Sequence, residues 1–226
     1  VCSSDLYGNL TFSGSGNKTS AGNLIINGTV TVGSGTTFTN ANSTLVDPLK
    51  GNVISNGTLY GIGTSVFANS TTLSGSGNIK LNNVVITGTL TDGGNTFSVR
   101  GNWTNNGTYS ATGTVQFDST LSQSIGSSSF QNIVINKSSG SATLTGTATV
   151  NNNFTLTSGT FSTGSDQSLS VSNDVSINGG TFTANGSTIS VGRNWNRTGI
   201  FSLGTSTVVM NGSSAQSIDG TRFHDL

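Results

Sequence analysis

The stretch Asn102–Ile133, NWTNNGTYSATGTVQFDSTLSQSIGSSSFQNI, returns as Asn194–Leu226, NWNRTGIFSLGTSTVVMNGSSAQSIDGTRFHDL. Trp103 matches Trp195 and Gly107 matches Gly199, with Tyr109 opposite Phe201 at the same spacing. After a one-residue insertion, Gln123, Ser124, Ile125 and Phe130 match Gln216, Ser217, Ile218 and Phe223. An internal copy of this length with conservative exchanges is the mark of a repeat architecture, and it sets the frame for every other reading.

A shorter beat runs inside the long one. Gly-Thr/Ile-aromatic triplets occur at Gly159-Thr160-Phe161, Gly180-Thr181-Phe182 and Gly199-Ile200-Phe201. Gly88-Thr89-Leu90 and Gly107-Thr108-Tyr109 repeat the same figure earlier in the chain. Between these marks apolar residues sit two apart: Phe154/Leu156, Leu169/Val171, Val175/Ile177, Ile189/Val191, Val208/Met210. That spacing points both side chains to one side of a strand. Each strand is too short to stand alone. A beat of about 20 residues split into three short strands predicts a right-handed parallel β-solenoid, turn stacked on turn at strand spacing. Apolar residues then form ladders inside and Thr and Ser form ladders outside, with Gly and Asn at the corners. Tandem β-sandwich repeats are the alternative, since the long copy is near the length of one sandwich domain. The short beat favours the solenoid.

Composition agrees. Of 226 residues only 7% are charged, there is no Glu, and the net charge is zero. A nucleic-acid binder or a basic membrane-surface helix needs a cationic face that this chain lacks. Ser and Thr number 73 and Gly 32, which suits strands and turns and disfavours helix. Evenly spaced Val, Ile, Leu and Phe argue against disorder. No apolar run approaches a membrane-spanning length.

The ends read as foreign or cut. VCSSDL, Val1–Leu6, resembles a translated sequencing adapter, so residues 1–6 are set apart as a non-native artefact. Cys2, the only cysteine, goes with them, which leaves no disulfide or thiolate metal site. Residues 7–226 then read as a solenoid, an internal metagenomic fragment of a longer repeat protein whose last strand is cut. Two uncapped terminal turns would fray and associate end to end. Asp47-Pro48-Leu49-Lys50-Gly51 holds the only Pro and reads as a loop leaving the stack.

The stretches GNLIINGTVTVGSGTTF, GSGNIKLNNVVITGTLT and VSINGGTFTANGSTISVGRNW resemble the β-helical passengers of repeat-rich bacterial surface proteins, autotransporter passenger domains and haemagglutinin-like adhesins. The resemblance covers nearly all of residues 7–226 and is one of pattern. It implies secretion, an extracellular or cell-surface location, and a structural or adhesive rod whose partners are surface glycans or neighbouring solenoid segments.

Catalysis finds little footing. Glycoside cleavage needs two carboxylates placed across a bond, yet Asp47, Asp92, Asp118, Asp166, Asp174, Asp219 and Asp225 are scattered and read as turn residues. Asp118 aligns with Asn211, so its place does not demand a charge. His224 is the only His and aligns with Gln131. The expectation is no enzyme, no catalytic residue, no cofactor and no metal, with a polysaccharide-degrading β-helix as the competing reading. Trp103 and Trp195, each in Gly/Arg-Asn-Trp, are the candidate carbohydrate-binding residues, since indole offers a sugar ring a broad face. A core role is the plainer reading of the pair. Thr runs at Thr143–Thr149, Thr87–Thr91 and Thr155–Thr157 also suit a flat Thr ladder of the kind ice-binding solenoids use, although Thr favours any outward strand position.

Overall fold

Strands of three to five residues dominate the chain because apolar side chains alternate with Thr and Ser and a turn residue soon follows. The computed structural model describes residues 5–20, 24–40, 44–45 and 51–226. Among these there is no helix, and every strand pairing is parallel. The chain is a parallel β-solenoid with about 20 residues per turn. Parallel pairing throughout excludes the sandwich alternative, whose sheets are antiparallel. Contacts divide the chain into two compact units, Val1–Gly113 and Thr114–Leu226.

In the first unit three ladders rise side by side. One joins Leu10–Phe12, Val30–Val32, Val53–Ser55 and Ser70–Ser74, then Thr89–Thr91 and Thr108–Ser110. A second joins Gly16–Ser20, Thr36–Asn40, Thr58–Gly61, Asn78–Leu81 and Thr96–Val99. The third joins Thr44–Leu45, Thr64–Phe67, Asn83–Ile86 and Trp103–Asn105. The register stacks Phe38 under Leu59, Ile79 and Phe97, all buried. Strand Asp5–Tyr7 pairs with Leu24–Ile26, so the backbone of Asp5 and Leu6 lies in a sheet. Most of the loop expected at Asp47–Gly51, and residues 1–4, lie outside the described residues.

The second unit repeats the scheme. Val115, Ile133, Phe154, Val175 and Trp195 form one inward column; Ser128, Ala148, Leu169, Ile189 and Val208 form another. A third runs Gln123, Ala142, Phe161, Phe182, Phe201. Its rings meet edge to face, Phe161 to Phe182 at 4.9 Å and 89° and Phe182 to Phe201 at 5.5 Å and 85°. Such geometry aligns positive ring edges with negative faces. The final residues depart from expectation. Past Met210 there is no strand, only isolated parallel bridges at Trp195–Ile218 and Thr207–Asp225. Ile125 is fully buried in a strand, whereas its sequence counterpart Ile218 is 40% exposed.

Polar side chains bind one turn to the next. The Asn132 side-chain oxygen accepts from Asn152 Nδ2 and Asn153 N; that of Asn153 accepts from Asn173 Nδ2 and Asp174 N. Asp174 then accepts from Asn194 N, and Asn194 from Ser217 N. In the first unit Asn9, Asn52, Asn56 and Asn83 likewise accept from Thr29, Thr72, Ser76 and Asn102 amides. Most of the backbone donors sit at corners, so these bonds satisfy N–H groups outside the strand ladders; Thr72, within strand Ser70–Ser74, is the exception.

Corners also bring backbone onto backbone. Gly180 has φ +68°, and a Cβ there would collide with the carbonyl oxygen of Gly159 one turn below. Gly35 has a similar φ of +72° but faces open space. Gly35→Ala should therefore cost only left-handed strain, about 1–2 kcal/mol. Gly180→Ala adds overpacking and should cost about 3 kcal/mol or more. Denaturant midpoints of the two variants check the difference.

Candidate functional site

Trp103 and Trp195 lie inside the core, 1% and 0% exposed. Each opens a three-residue strand and meets the aromatic six residues on. Trp103 stands 4.9 Å from Tyr109 at 70°, and Trp195 stands 4.9 Å from Phe201 at 77°. A second ring lies tilted against each, Phe97 at 6.2 Å and Phe182 at 6.3 Å. The repeat thus conserves a packing niche. The sugar-stacking platform read from the sequence is corrected by this burial, because neither indole presents a face to solvent. The physical reason is strand phase: each Trp occupies the first inward position of its strand, after an Asn corner.

The carboxylates are spread around the turns, and among the described residues no group of three His, Cys, Asp or Glu could hold a metal ion. Asp166 accepts from Gly186 N at 2.7 Å, Asp174 from Asn194 N at 3.0 Å, and Asp219 from Arg197 N at 3.2 Å. These acidic groups serve as inter-turn acceptors, as Asn does elsewhere. His224 Nδ1 lies 3.1 Å from Asp225 Oδ2 on the exposed last segment. Arg100 and Arg193 are exposed. Asp47 lies outside the described residues. An apolar cavity of about 30 Å³ in the first unit, lined by Ile26, Val30, Phe38, Val53 and Leu59, has room for little more than one water.

Two buried charges escaped the sequence reading. Asp92 is fully buried. Its oxygens accept from Tyr109 Oη at 2.7 Å, Thr112 Oγ1 at 2.6 Å, and the amides of Gly94, Thr112 and Gly113 at 2.9–3.1 Å. Burial by itself raises the carboxyl pKa, but the Thr112 and Tyr109 hydroxyls and the Gly113 and Gly94 amides outweigh it, and the net shift is downward. Burial, together with the Asp92 charge and hydrogen bond, drives the Tyr109 phenol far above its ordinary range, so it stays a donor. The -Thr-Asp-Gly-Gly- sequence signals a turn; the acceptor role depends on Tyr109, 17 residues on.

Lys137 is 1% exposed, within strand Asn132–Leu144, where the pairing to Phe154–Ser162 shifts register. Its ammonium donates to Ser119 O at 2.9 Å, Leu121 O at 2.8 Å and Gln123 Oε1 at 2.7 Å. All three N–H groups are used. Burial pushes the ammonium down to about 8, against the raising effect of the Asp118 charge. Lys137 thus ties down the Asp118–Ser122 loop, at whose tip Leu121 stands 73% exposed.

Outward strand positions carry hydroxyls in columns. Where a strand reads out-in-out, two columns arise. In the first unit Ser70, Thr89 and Thr108 form one, and Thr72, Thr91 and Ser110 the other, around inward Thr71, Leu90 and Tyr109. In the second, Ser141, Thr160 and Thr181 form one, ended by Ile200, and Ser124, Thr143, Ser162, Thr183 and Ser202 the other. The Gly-Thr-aromatic beat of the sequence is this strand. The Thr143–Thr149 run does not form a single array, since Thr143 and Thr149 belong to different sheets.

Comparison with family models, with curated proteins and with solved structures returned no match.

Asp92 has a folded pKa below its unfolded value, so its contribution is present above about pH 4 and lost as pH falls through the folded pKa. Asp92→Asn, which points an amide at amide donors, should cost about 3 kcal/mol at neutral pH and flatten the acid limb of the stability profile. For Lys137 the unfolded chain binds more protons between about 8 and the ordinary lysine value, so its contribution to stability rises with pH across that window. Lys137→Met should lose about 3 kcal/mol at pH 7 by stranding three acceptors, and should lack that rise. Urea titrations from pH 3 to pH 10.5 measure both.

Proposed function

We propose that this chain is a non-enzymatic structural or adhesive segment of a large secreted bacterial surface protein, working outside the cell or on its surface. One observation carries the reading: four of the carboxylates do the structural work of Asn. Asp92, Asp166, Asp174 and Asp219 each accept backbone N–H groups from an adjacent turn. A carboxylate so engaged is not poised to protonate a leaving group or to attack a sugar carbon. Most outward strand positions meanwhile carry Ser, Thr or Asn, with Lys80 and Arg197 as charged exceptions, so the surface is solvated largely without charge.

The pattern resemblance to autotransporter passengers and haemagglutinin-like adhesins supports secretion and surface display. No helix among the described residues is long and apolar enough to cross a membrane. Surface glycans or neighbouring solenoid segments are the partners this reading names. With both indoles in the core, any glycan would be held by Ser, Thr and Asn groups rather than by Trp stacking.

A panel of surface polysaccharides, assayed for new reducing ends and for unsaturated sugar products, tests the reading alongside a glycan array. The expected result is no turnover, with array binding marking an adhesive segment and its absence a structural one. Product released above the blank, and lost in Asp118→Asn or Asp166→Asn, would overturn it.

A further inference from the structure

The paired hydroxyl columns define a surface whose chemistry has a particular counterpart. In the first unit, Ser70/Thr72, Thr89/Thr91 and Thr108/Ser110 lie on three stacked strands in perfect parallel register. All six are partly or fully exposed, and among the described residues their hydroxyls bond no protein group. In the second unit the same figure spans Ser141/Thr143, Thr160/Ser162 and Thr181/Thr183, with Ser202 extending one column. There Ser141 and Thr143 bond each other at 3.3 Å, and Ser162 receives Gly164 N and Asn185 Nδ2, so those hydroxyls are partly fixed. No column contains a charged residue.

Spacing decides what such a grid fits. Neighbouring strands lie about 4.8 Å apart, and alternate residues along a strand about 6.4–6.8 Å apart. Water oxygens in a tetrahedral network with O–H···O distances of about 2.75 Å have second neighbours about 4.5 Å apart and, across the stacked layers, a repeat of about 7.3 Å. Both periods agree to within about a tenth with the strand geometry. A charged side chain on the grid would orient water around itself and break the match; here none stands. The inward Leu90, Tyr109, Phe161 and Phe182 are buried, which anchors the strands that carry the grid.

We propose that the out-in-out strand face of each unit binds the surface of ice, the hydroxyl columns holding a lattice of water that merges with the crystal. The inference rests on the adhesive half of the proposed function and names an uncharged crystalline solid as the ligand. Thr supplies both a hydroxyl and a methyl at each lattice point, and the Ser positions supply the hydroxyl alone.

Slow freezing of the intact chain onto a cold finger, with protein measured in the ice and in the remaining liquid, tests this. Wild type should enter the ice. A variant carrying Thr89→Lys, Thr91→Lys, Thr181→Lys and Thr183→Lys should be depleted from it by about tenfold, the equivalent of about 1.4 kcal/mol. Thr155→Lys, in the separate column of Val134, Thr155, Ser176 and Asn196, serves as the control and should partition as wild type does. Circular dichroism establishes that each variant is folded; should the fourfold variant fail, Thr89→Lys/Thr91→Lys and Thr181→Lys/Thr183→Lys are read separately. Exclusion of wild type from ice overturns the proposal, as does equal loss in Thr155→Lys. Retention on crystalline cellulose or chitin without entry into ice also overturns it, while leaving the adhesive reading intact. Turnover of a polysaccharide would instead overturn that reading.

Discussion

Parallel stacking at strand spacing makes every residue the neighbour of its own counterpart one turn away. Almost everything in the molecule follows from this constraint. Phe161 packs on Phe182 and Phe182 on Phe201 because the register brings them together. Asn132, Asn153, Asp174 and Asn194 form a chain of side-chain acceptors for the same reason. At the corners the constraint turns harsh, since backbone meets backbone. A Cβ at Gly107 or Gly180 would strike the carbonyl of a glycine one turn below, and glycine is kept where nothing larger fits. Stability in such an array is close to a sum of nearest-neighbour terms, so a defect is felt mainly by the turns that touch it.

Buried charge appears where the regular ladder breaks. Asp92 follows a three-residue strand and precedes Gly93 and Gly94, both with positive φ. The Gly94 amide of that turn and the Thr112 and Gly113 amides of the next converge there, and a carboxylate can accept more of them than a neutral side chain can. Lys137 sits at the register shift in the longest strand, where the carbonyls of Ser119 and Leu121 turn inward. An ammonium with three donors suits that cluster. Both ions are fully hydrogen-bonded, which is the condition under which a buried charge is tolerated. Both side chains are shut off from solvent, and each is better understood as a fastening of an irregular turn than as a reactive group.

The sequence made the period, the parallel stack and the inward pairs legible, because those depend on spacing alone. Phe154/Leu156, Leu169/Val171 and Val175/Ile177 face the core as their separation dictates. The Gly-Thr-aromatic beat was visible as a rhythm, but its meaning, a strand with two outward columns, required the register. Burial of the two Trp residues turned on strand phase, which a matching pair of Asn-Trp motifs does not reveal. Asp92 and Lys137 were least legible. A turn Asp and a lone Lys look like solvated residues, and the groups that hold them come from 17–21 residues downstream and 14–18 residues upstream. Ile218 keeps a parallel bridge to Trp195 but is 40% exposed, where Ile125 is buried within a strand.

Partner positions on successive turns are separated by as few as 18 residues, Thr114 to Asn132, and by as many as 23, Val30 to Val53, while the paired strands stay in register. The corners absorb the difference, so the coil is indifferent to how much sequence separates its strands. That indifference has a genetic consequence. A recombination event that inserts or deletes roughly one turn of coding sequence, even with ragged junctions, leaves each remaining residue beside a counterpart of the same kind. The architecture is thereby open to changes of length within a lineage, and the pattern shared by Asn102–Phe130 and Asn194–Phe223 is what duplication followed by drift would leave behind.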